Sequence, residues 1–153
     1  MTRAVSTVTL RGGPTLSYAE QGDRSGPALV LLPGPLDSWQ SYRQVVERMP
    51  LTIRTIAVSQ RGHGDSDWAP VYGAVPMVAD LIGLLDALAI ERVALVGHSM
   101  GGLVGTCAVA LHPERFTHLV LGDIGPEPAP EGVARIRASV AERDVFTSVD
   151  DAF

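Results

Sequence analysis

The stretch that most constrains this chain is "LVGHSMGG" at residues 95–102, in which a serine stands between glycines two positions away on each side. An apolar run typical of a buried strand precedes it, and an apolar stretch with helical spacing follows. A strand that turns directly into a helix strains the backbone of the central residue and holds its side chain clear of the sheet. The glycines would remove side chains that collide across this turn. We therefore predict that Ser99 is exposed at the carboxyl edge of a sheet, where it could act as a nucleophile.

The rest of the chain alternates between strand and helix patterns, which predicts an α/β fold: a mostly parallel sheet flanked by helices on both sides. The first two strands would form a hairpin around "RGGP", and Ser38 and Pro50 would begin and end the first helix. The predicted strands are 5–9, 15–19, 27–34, 53–59, 92–97 and 117–125, and the predicted helices are 38–50, 75–90, 100–113 and 133–146.

Composition excludes several classes of protein. The formal charge is −5 and no run of Lys or Arg occurs, so we expect no nucleic acid or membrane partner. Cys107 is the single cysteine, which rules out an intrachain disulfide, and the N-terminus has no signal-like apolar stretch, so we expect a cytoplasmic protein. Asp65 and Asp67 have no matching cluster of ligands, so we expect them to cap a loop, with no metal and no cofactor.

Three segments resemble the α/β-hydrolase fold superfamily, in particular its esterase, lactonase and haloperoxidase-like branch. They are "LVLLPGPLDSWQSYRQVVERM", "IRTIAVSQRGHGDSD" and "VADLIGLLDALAIERVALVGHSMGGLVGTCAVALHPERFTHLVLGDIGP", and they cover nearly all of residues 28–126. The resemblance implies the strand order 1-2-4-3-5-6 and a small-molecule substrate whose ester, lactone or similar acyl carbon Ser99 attacks. Haloalkane dehalogenases and epoxide hydrolases, whose nucleophile in this family is aspartate, are disfavoured because the position holds a serine.

An acyl-transfer site needs backbone donors that stabilise the oxyanion. The N–H of Met100 would be one, because it lies at the start of a helix. The resemblance places the second donor at Pro35, which has no N–H. Either Leu36 donates instead through a shifted loop, or the oxyanion hole has one donor fewer.

A serine nucleophile also needs a base, oriented by an acid, in the chain order Ser, acid, His. His112 and His118 follow Ser99, but we expect both to lie too far from it. We expect His98 to point into the flanking structure, and His63 to support its own loop more than to act as the base. Asp123 follows the sixth strand, where some family members have the acid; the alternative is a residue that stabilises the loop.

The resemblance covers six strands and lacks strands seven and eight, most of the lid and the base. We therefore expect residues 1–126 to form the N-terminal part of a hydrolase core and residues 127–153 to begin the lid. The first hypothesis is a serine hydrolase that is inactive or weak as this chain. The second is a non-catalytic binding or assembly module, in which the open edge of the sixth strand pairs with another copy.

Overall fold

The computed structural model describes residues 4–125 and 129–141, which form a six-stranded sheet with helices on both faces. The strands are β1 (Ala4–Thr9), β2 (Thr15–Gln21), β3 (Ala28–Leu32), β4 (Arg54–Val58), β5 (Val93–His98) and β6 (Phe116–Gly122). The helices are α1 (Arg43–Arg48), α2 (Ala74–Ala87), α3 (Met100–Leu111) and α4 (Pro130–Ala141), with 3₁₀ turns at Trp39–Tyr42 and Pro113–Arg115.

The strand order is β1-β2-β4-β3-β5-β6, as the resemblance implied. β1 and β2 form the predicted antiparallel hairpin, and β2 pairs antiparallel with β4. The pairs β3–β4, β3–β5 and β5–β6 are parallel. The carboxyl ends of β3, β5 and β6 therefore meet at one edge of the sheet, and this edge carries the residues of the predicted site.

The alternating side chains of the central strands supply two separate cores. Val30 of β3 faces the larger core, where α2 and α3 pack, whereas its neighbour Leu31 faces the smaller core with Trp39 and Val46. β3 contributes apolar residues to both cores, because successive side chains of a strand point to opposite faces. This arrangement confirms the prediction that the uninterrupted apolar run "ALVLL" is covered on both faces.

Local differences from the predicted elements occur around the first and last helices. The helix predicted at 38–50 is a 3₁₀ turn followed by the six residues of α1, although the Ser38 side chain does accept the predicted capping hydrogen bond, from the Gln40 N–H. The described part of the last helix is α4, and residues 142–153 of the predicted lid segment lie outside the described residues. Within the described residues, no helix is long and apolar enough to cross a bilayer.

The sixth strand is the last strand of the sheet on one side and pairs only with β5 among the described strands. Its first residue, Phe116, is buried, whereas Val120 and Leu121 are exposed near its other end. Leu103 and Leu111 of the adjacent α3 are exposed as well. Exposed apolar side chains are therefore present both on the open edge strand and on the neighbouring helix.

Candidate active site

Ser99 lies between the last residue of β5 and the first residue of α3, half-buried at the carboxyl edge of the sheet. Its φ of 48° and ψ of −115° are far from both strand and helix values. Such a conformation costs roughly 1–3 kcal/mol in a residue that has a Cβ, so the surrounding structure must hold it in place. The Ser99 N–H donates to the Gly122 carbonyl of β6 (2.9 Å), and the Ser99 carbonyl accepts from Leu103 in the first turn of α3 (3.0 Å).

The glycines on either side of Ser99 are required by close backbone contacts. A Cβ on Gly97 would overlap the backbone of Gly101 and Gly102, as predicted for a collision across the turn. A Cβ on Gly101 would instead overlap the carbonyl oxygen of Leu32, at the end of the neighbouring β3. The prediction was therefore right for the first glycine and wrong for the second, because Gly101 lets α3 approach a different strand.

Two backbone segments lie next to Ser99, the start of α3 and the loop after β3. Met100 begins α3, and the N–H groups of a first helical turn have no acceptor within the helix. On the other side, a Cβ at Gly34 would stand 3.5 Å from the Ser99 Cβ, so the loop after β3 is adjacent to the serine. In that loop Leu36 is 77% exposed and has a left-handed φ of 61° directly after Pro35, a combination typical of a tight turn.

The histidines differ in their distance from this site. His98 lies beside Gly34 of the flanking loop, in the predicted direction, and its side chain is 49% exposed at the edge of the sheet. His63 has its Nδ1 2.9 Å from the Arg61 carbonyl, within its own loop, as expected for loop support. His112 ends α3 and His118 lies near the start of β6, both away from the carboxyl edge. In the described part of the chain, no side chain hydrogen-bonds the Ser99 hydroxyl.

Asp123 directly follows β6 and has a left-handed φ of 53°. Its carboxylate is 90% exposed, and its Oδ2 lies 3.9 Å from the Nε2 of His98. At this distance the two groups do not hydrogen-bond. The structure thus brings together Ser99, His98 and Asp123 at the ends of two neighbouring strands. The sequence did not suggest that Asp123 lies next to His98.

Two buried polar residues that sequence reasoning missed hold the loops around the site. The Nε2 of Gln60, just after β4, donates to the Pro33 carbonyl (3.0 Å) and so anchors the loop that contains Gly34. Arg61 makes a two-pronged ion pair with Asp80 of α2, with N–O distances of 2.6 and 2.7 Å. This hydrogen bonding raises the pKa of Arg61 above its ordinary value, so the guanidinium stays charged although it is buried.

The ion pair of Arg61 left a signal in the sequence, at the position of its partner Asp80. Asp80 falls among Met77, Leu81 and Leu84 on the buried face of α2, and a carboxylate at such a position requires a cationic partner. The Arg61 guanidinium also donates to the carbonyls of Val71 (2.8 Å) and Pro76 (3.1 Å), so one side chain fastens the loop after β4 to α2. Gln60 left no comparable signal, because its partner is a backbone carbonyl.

The predicted capping role of Asp67 agrees with its contacts. Its Oδ2 accepts from the Thr15 N–H at 2.8 Å, which ties the loop after β4 to the start of β2. No group of three His, Cys, Asp or Glu side chains that could hold a metal ion occurs among residues 4–125 and 129–141.

Comparison with known proteins agrees with this arrangement. A profile of the alpha/beta hydrolase fold family matches residues 27–140. The crystal structure of an alpha/beta hydrolase from Novosphingobium aromaticivorans superposes with a TM-score of 0.84 and 33% identity, over 92% of this chain and 50% of that one. Epoxide hydrolase 2 of Siraitia grosvenorii is 40% identical over 63% of this chain and 32% of its own length. A 3-hydroxybutyrate-oligomer hydrolase of Cupriavidus necator is 31% identical over 88% of this chain and 47% of its own length.

A mostly parallel sheet with a strained residue between its fifth strand and the following helix is the arrangement of the α/β-hydrolase fold. The chain belongs to the α/β-hydrolase fold family. It spans about a third to a half of the length of the relatives it matches, so its fold corresponds to part of theirs. The profile match crosses residue 126, and the division of the chain into core and lid at that point stays a prediction.

Proposed function

We propose that this chain carries the nucleophile of a serine hydrolase that acts on an ester, a lactone or a similar acyl carbon. The observation that carries the proposal is the left-handed conformation of Ser99 at the junction of β5 and α3. Strained residues persist where the surrounding structure over-determines them, and such positions cluster at active sites. Among the relatives, the name of the 3-hydroxybutyrate-oligomer hydrolase is in line with acyl chemistry.

In the proposed reaction the Ser99 Oγ attacks the acyl carbon, and the electron pair of the carbonyl moves onto its oxygen. The N–H of Met100 and, from the turn after Pro35, the N–H of Leu36 stabilise this oxyanion. Collapse of the intermediate breaks the bond to the leaving alcohol, which takes up the proton that Ser99 lost. Water then attacks the acyl-enzyme, and Ser99 and a carboxylic acid are released. Asp123 is the candidate acid of this site.

We expect the 153-residue chain to hydrolyse its substrate slowly, because no described side chain hydrogen-bonds the Ser99 hydroxyl. A positioned general base contributes about 10²–10⁴-fold to such a reaction. Without one, the proton of Ser99 goes to water or hydroxide, and acylation is slow. Epoxide hydrolases among the relatives suggest a different substrate class, but residue 99 is a serine rather than the aspartate that the resemblance implies for epoxide opening.

The test is reaction of the 153-residue chain with a fluorophosphonate probe, followed by mass spectrometry of the adduct. We expect slow labelling of Ser99 in the folded chain, and no adduct in Ser99→Ala or in heat-denatured chain. Labelling of other serines at equal rates would show that Ser99 is not activated and would overturn the proposal. Rapid stoichiometric labelling would instead show that a base is present and that the predicted weakness is wrong.

The exposed apolar surface of β6 favours a second candidate function, a non-catalytic module that assembles through this edge. Val120 and Leu121 are exposed on a strand whose outer N–H and C=O groups have no described partner strand. Such an edge is a template for pairing with another chain. Size-exclusion chromatography with light scattering over a range of concentrations tests it, since a monomer at every concentration would exclude pairing between copies.

A further inference from the structure

His98 occupies a gap between two glycines at the carboxyl edge of the sheet. Its Nδ1 and Cε1 lie 3.0 and 3.3 Å from the point where a Cβ on Gly34 would stand. Its Cδ2 lies 4.0 Å from the corresponding point on Gly122, at the end of β6. The imidazole fits against the loop after β3 because Gly34 has no side chain, and it lies within ordinary contact distance of Gly122 at the end of β6. His98 therefore connects the loop after β3 with the loop after β6.

The loop that His98 contacts is the one proposed to hold the second oxyanion donor. The same point above Gly34 lies 3.5 Å from the Ser99 Cβ, so His98 and Ser99 contact this loop side by side. Gln60 holds the preceding carbonyl of Pro33 from the other direction (3.0 Å). A displacement of the imidazole would therefore change the position of the loop relative to Ser99, although His98 itself does not touch the reacting atoms.

Asp123 is the charged group that faces His98 among the described residues. The distance of 3.9 Å between Nε2 and Oδ2 exceeds that of a hydrogen bond by about 1 Å. The loop after β3 faces the ring through Gly34, which cannot ionise, and the Asp37 carboxylate of that loop accepts from the Ser38 N–H (2.8 Å). The first turn of α3 consists of methionine and two glycines, so it brings no charge to the ring.

We propose that His98 is a positioning residue for the oxyanion loop, residues 33–36. The proposal rests on the proposed function of Ser99. The imidazole packs against Gly34 and so limits the movement of this loop toward the space that the ring fills. Without the ring the loop would be held less firmly beside Ser99, and the serine would be less reactive.

The first experiment does not depend on catalysis. The heteronuclear NOE of the Gly34 and Leu36 amides is measured by ¹⁵N NMR in the wild-type chain, in His98→Ala and in His98→Gln. We expect lower values in His98→Ala, because the space beside Gly34 is then empty and the loop moves more, and values near those of the wild type in His98→Gln. His118→Ala, at the other end of β6, is the matched control and should leave both amides unchanged. Equal values in His98→Ala and the wild type would overturn the proposal.

The second experiment measures the rate at which the fluorophosphonate labels Ser99. At pH 8 we expect His98→Ala to label more slowly than the wild type and His98→Gln to recover most of the rate, since glutamine fills the gap. Equal rates for His98→Ala and the wild type at pH 8 would show that His98 does not position the loop. If Ser99 never reacts, the proposed function fails, whereas the NMR experiment still decides the role of His98.

Discussion

At the scale of single residues, the backbone conformation at the end of β5 determines the position of Ser99, the candidate nucleophile. Ser99 and Leu36 both have a left-handed φ, although neither is a glycine, and both belong to the site. Gly97 and Gly101 have no left-handed φ; they are needed because neighbouring backbone passes where a Cβ would be. In this turn Ser99 therefore has the strained backbone, whereas Gly97 and Gly101 allow neighbouring backbone to approach closely.

The first prediction concerns Gly101→Ala. The added Cβ would overlap the Leu32 carbonyl oxygen, which is backbone and cannot move aside as a flexible side chain could. We expect a loss of about 3 kcal/mol in the free energy of unfolding, measured by urea denaturation, together with loss of Ser99 labelling. Gly132→Ala in α4 is the control, because nothing lies within 4 Å of its added Cβ; it should be neutral or slightly stabilising. Equal effects of the two substitutions would contradict the packing argument.

A second residue-scale prediction concerns Tyr42, whose hydroxyl donates to the Leu32 carbonyl (3.1 Å) close to the same contact. Burial raises the pKa of Tyr42 above its ordinary value of 10.0, with a smaller effect from Asp37. The folded chain therefore keeps this proton at a pH where the unfolded chain has lost it. The stability from this difference is complete below pH 10 and is lost as pH rises through the higher folded value.

The measurement is urea denaturation between pH 9 and 11. We expect the stability of Tyr42→Phe to fall less steeply over this range than that of the wild type, because phenylalanine has no proton to lose. Parallel profiles for the two chains would show that the Tyr42 hydroxyl keeps the same environment in the folded and unfolded states.

At the scale of elements, the loop after β4 is held to α2 by a charge pair, and α2 provides its own control. Asp80 and Asp86 both lie on this helix and both pair with an arginine, at 2.6 and 2.8 Å. Asp80 is buried with Arg61, whereas Asp86 is 64% exposed with Arg115. The Arg61–Asp80 pair has two N–O contacts and is buried, whereas the Arg115–Asp86 pair has one contact and is open to water.

We predict that Asp80→Asn costs about 3–5 kcal/mol, because it leaves the Arg61 charge buried without its partner. Asp86→Asn should cost less than about 1 kcal/mol, since water screens that pair. Thermal or urea unfolding of the two variants side by side gives the comparison. Similar losses in both would mean that the loop after β4 opens enough to hydrate Arg61.

At the scale of the whole molecule, the two edges of the sheet offer a matched test of assembly. Val120 on β6 and Val5 on β1 are exposed to nearly the same extent, 55% and 51%, on the two outer strands. At the β6 edge Leu121 is exposed as well, and so are Leu103 and Leu111 of the adjacent α3. If copies of the chain associate, we expect this edge to be the contact.

We therefore predict that Val120→Lys lowers the fraction of oligomer at a given concentration, because a lysine on an edge strand opposes pairing. Val5→Lys should leave that fraction unchanged. Light scattering after size-exclusion chromatography measures both. A larger effect of Val5→Lys would place the contact at the hairpin and would exclude β6 as the assembly surface.

The fold could be predicted from the sequence because the sequence patterns that indicate its strands and helices are local. Apolar runs such as "ALVLL", the "GHSMG" turn and the helical spacing that follows it are each determined by a few neighbouring residues, and together they indicate an α/β sheet with a serine at its carboxyl edge. The resemblance supplied the strand order, which alternation alone does not determine.

Only the tertiary structure decided which distant residues support the serine. Gln60 reaches Pro33 across 27 positions, Arg61 reaches Asp80 across 19, and His98 lies between glycines of two other strands. A side-chain direction at a strand end depends on what the neighbouring strands leave open, and for this reason the sequence did not name Gly34 and Gly122 as the neighbours of His98. By itself the sequence determined where the candidate nucleophile stands, because a turn is a local structure. The packing of the sheet determined what contacts it, because strands far apart in the chain meet at one edge.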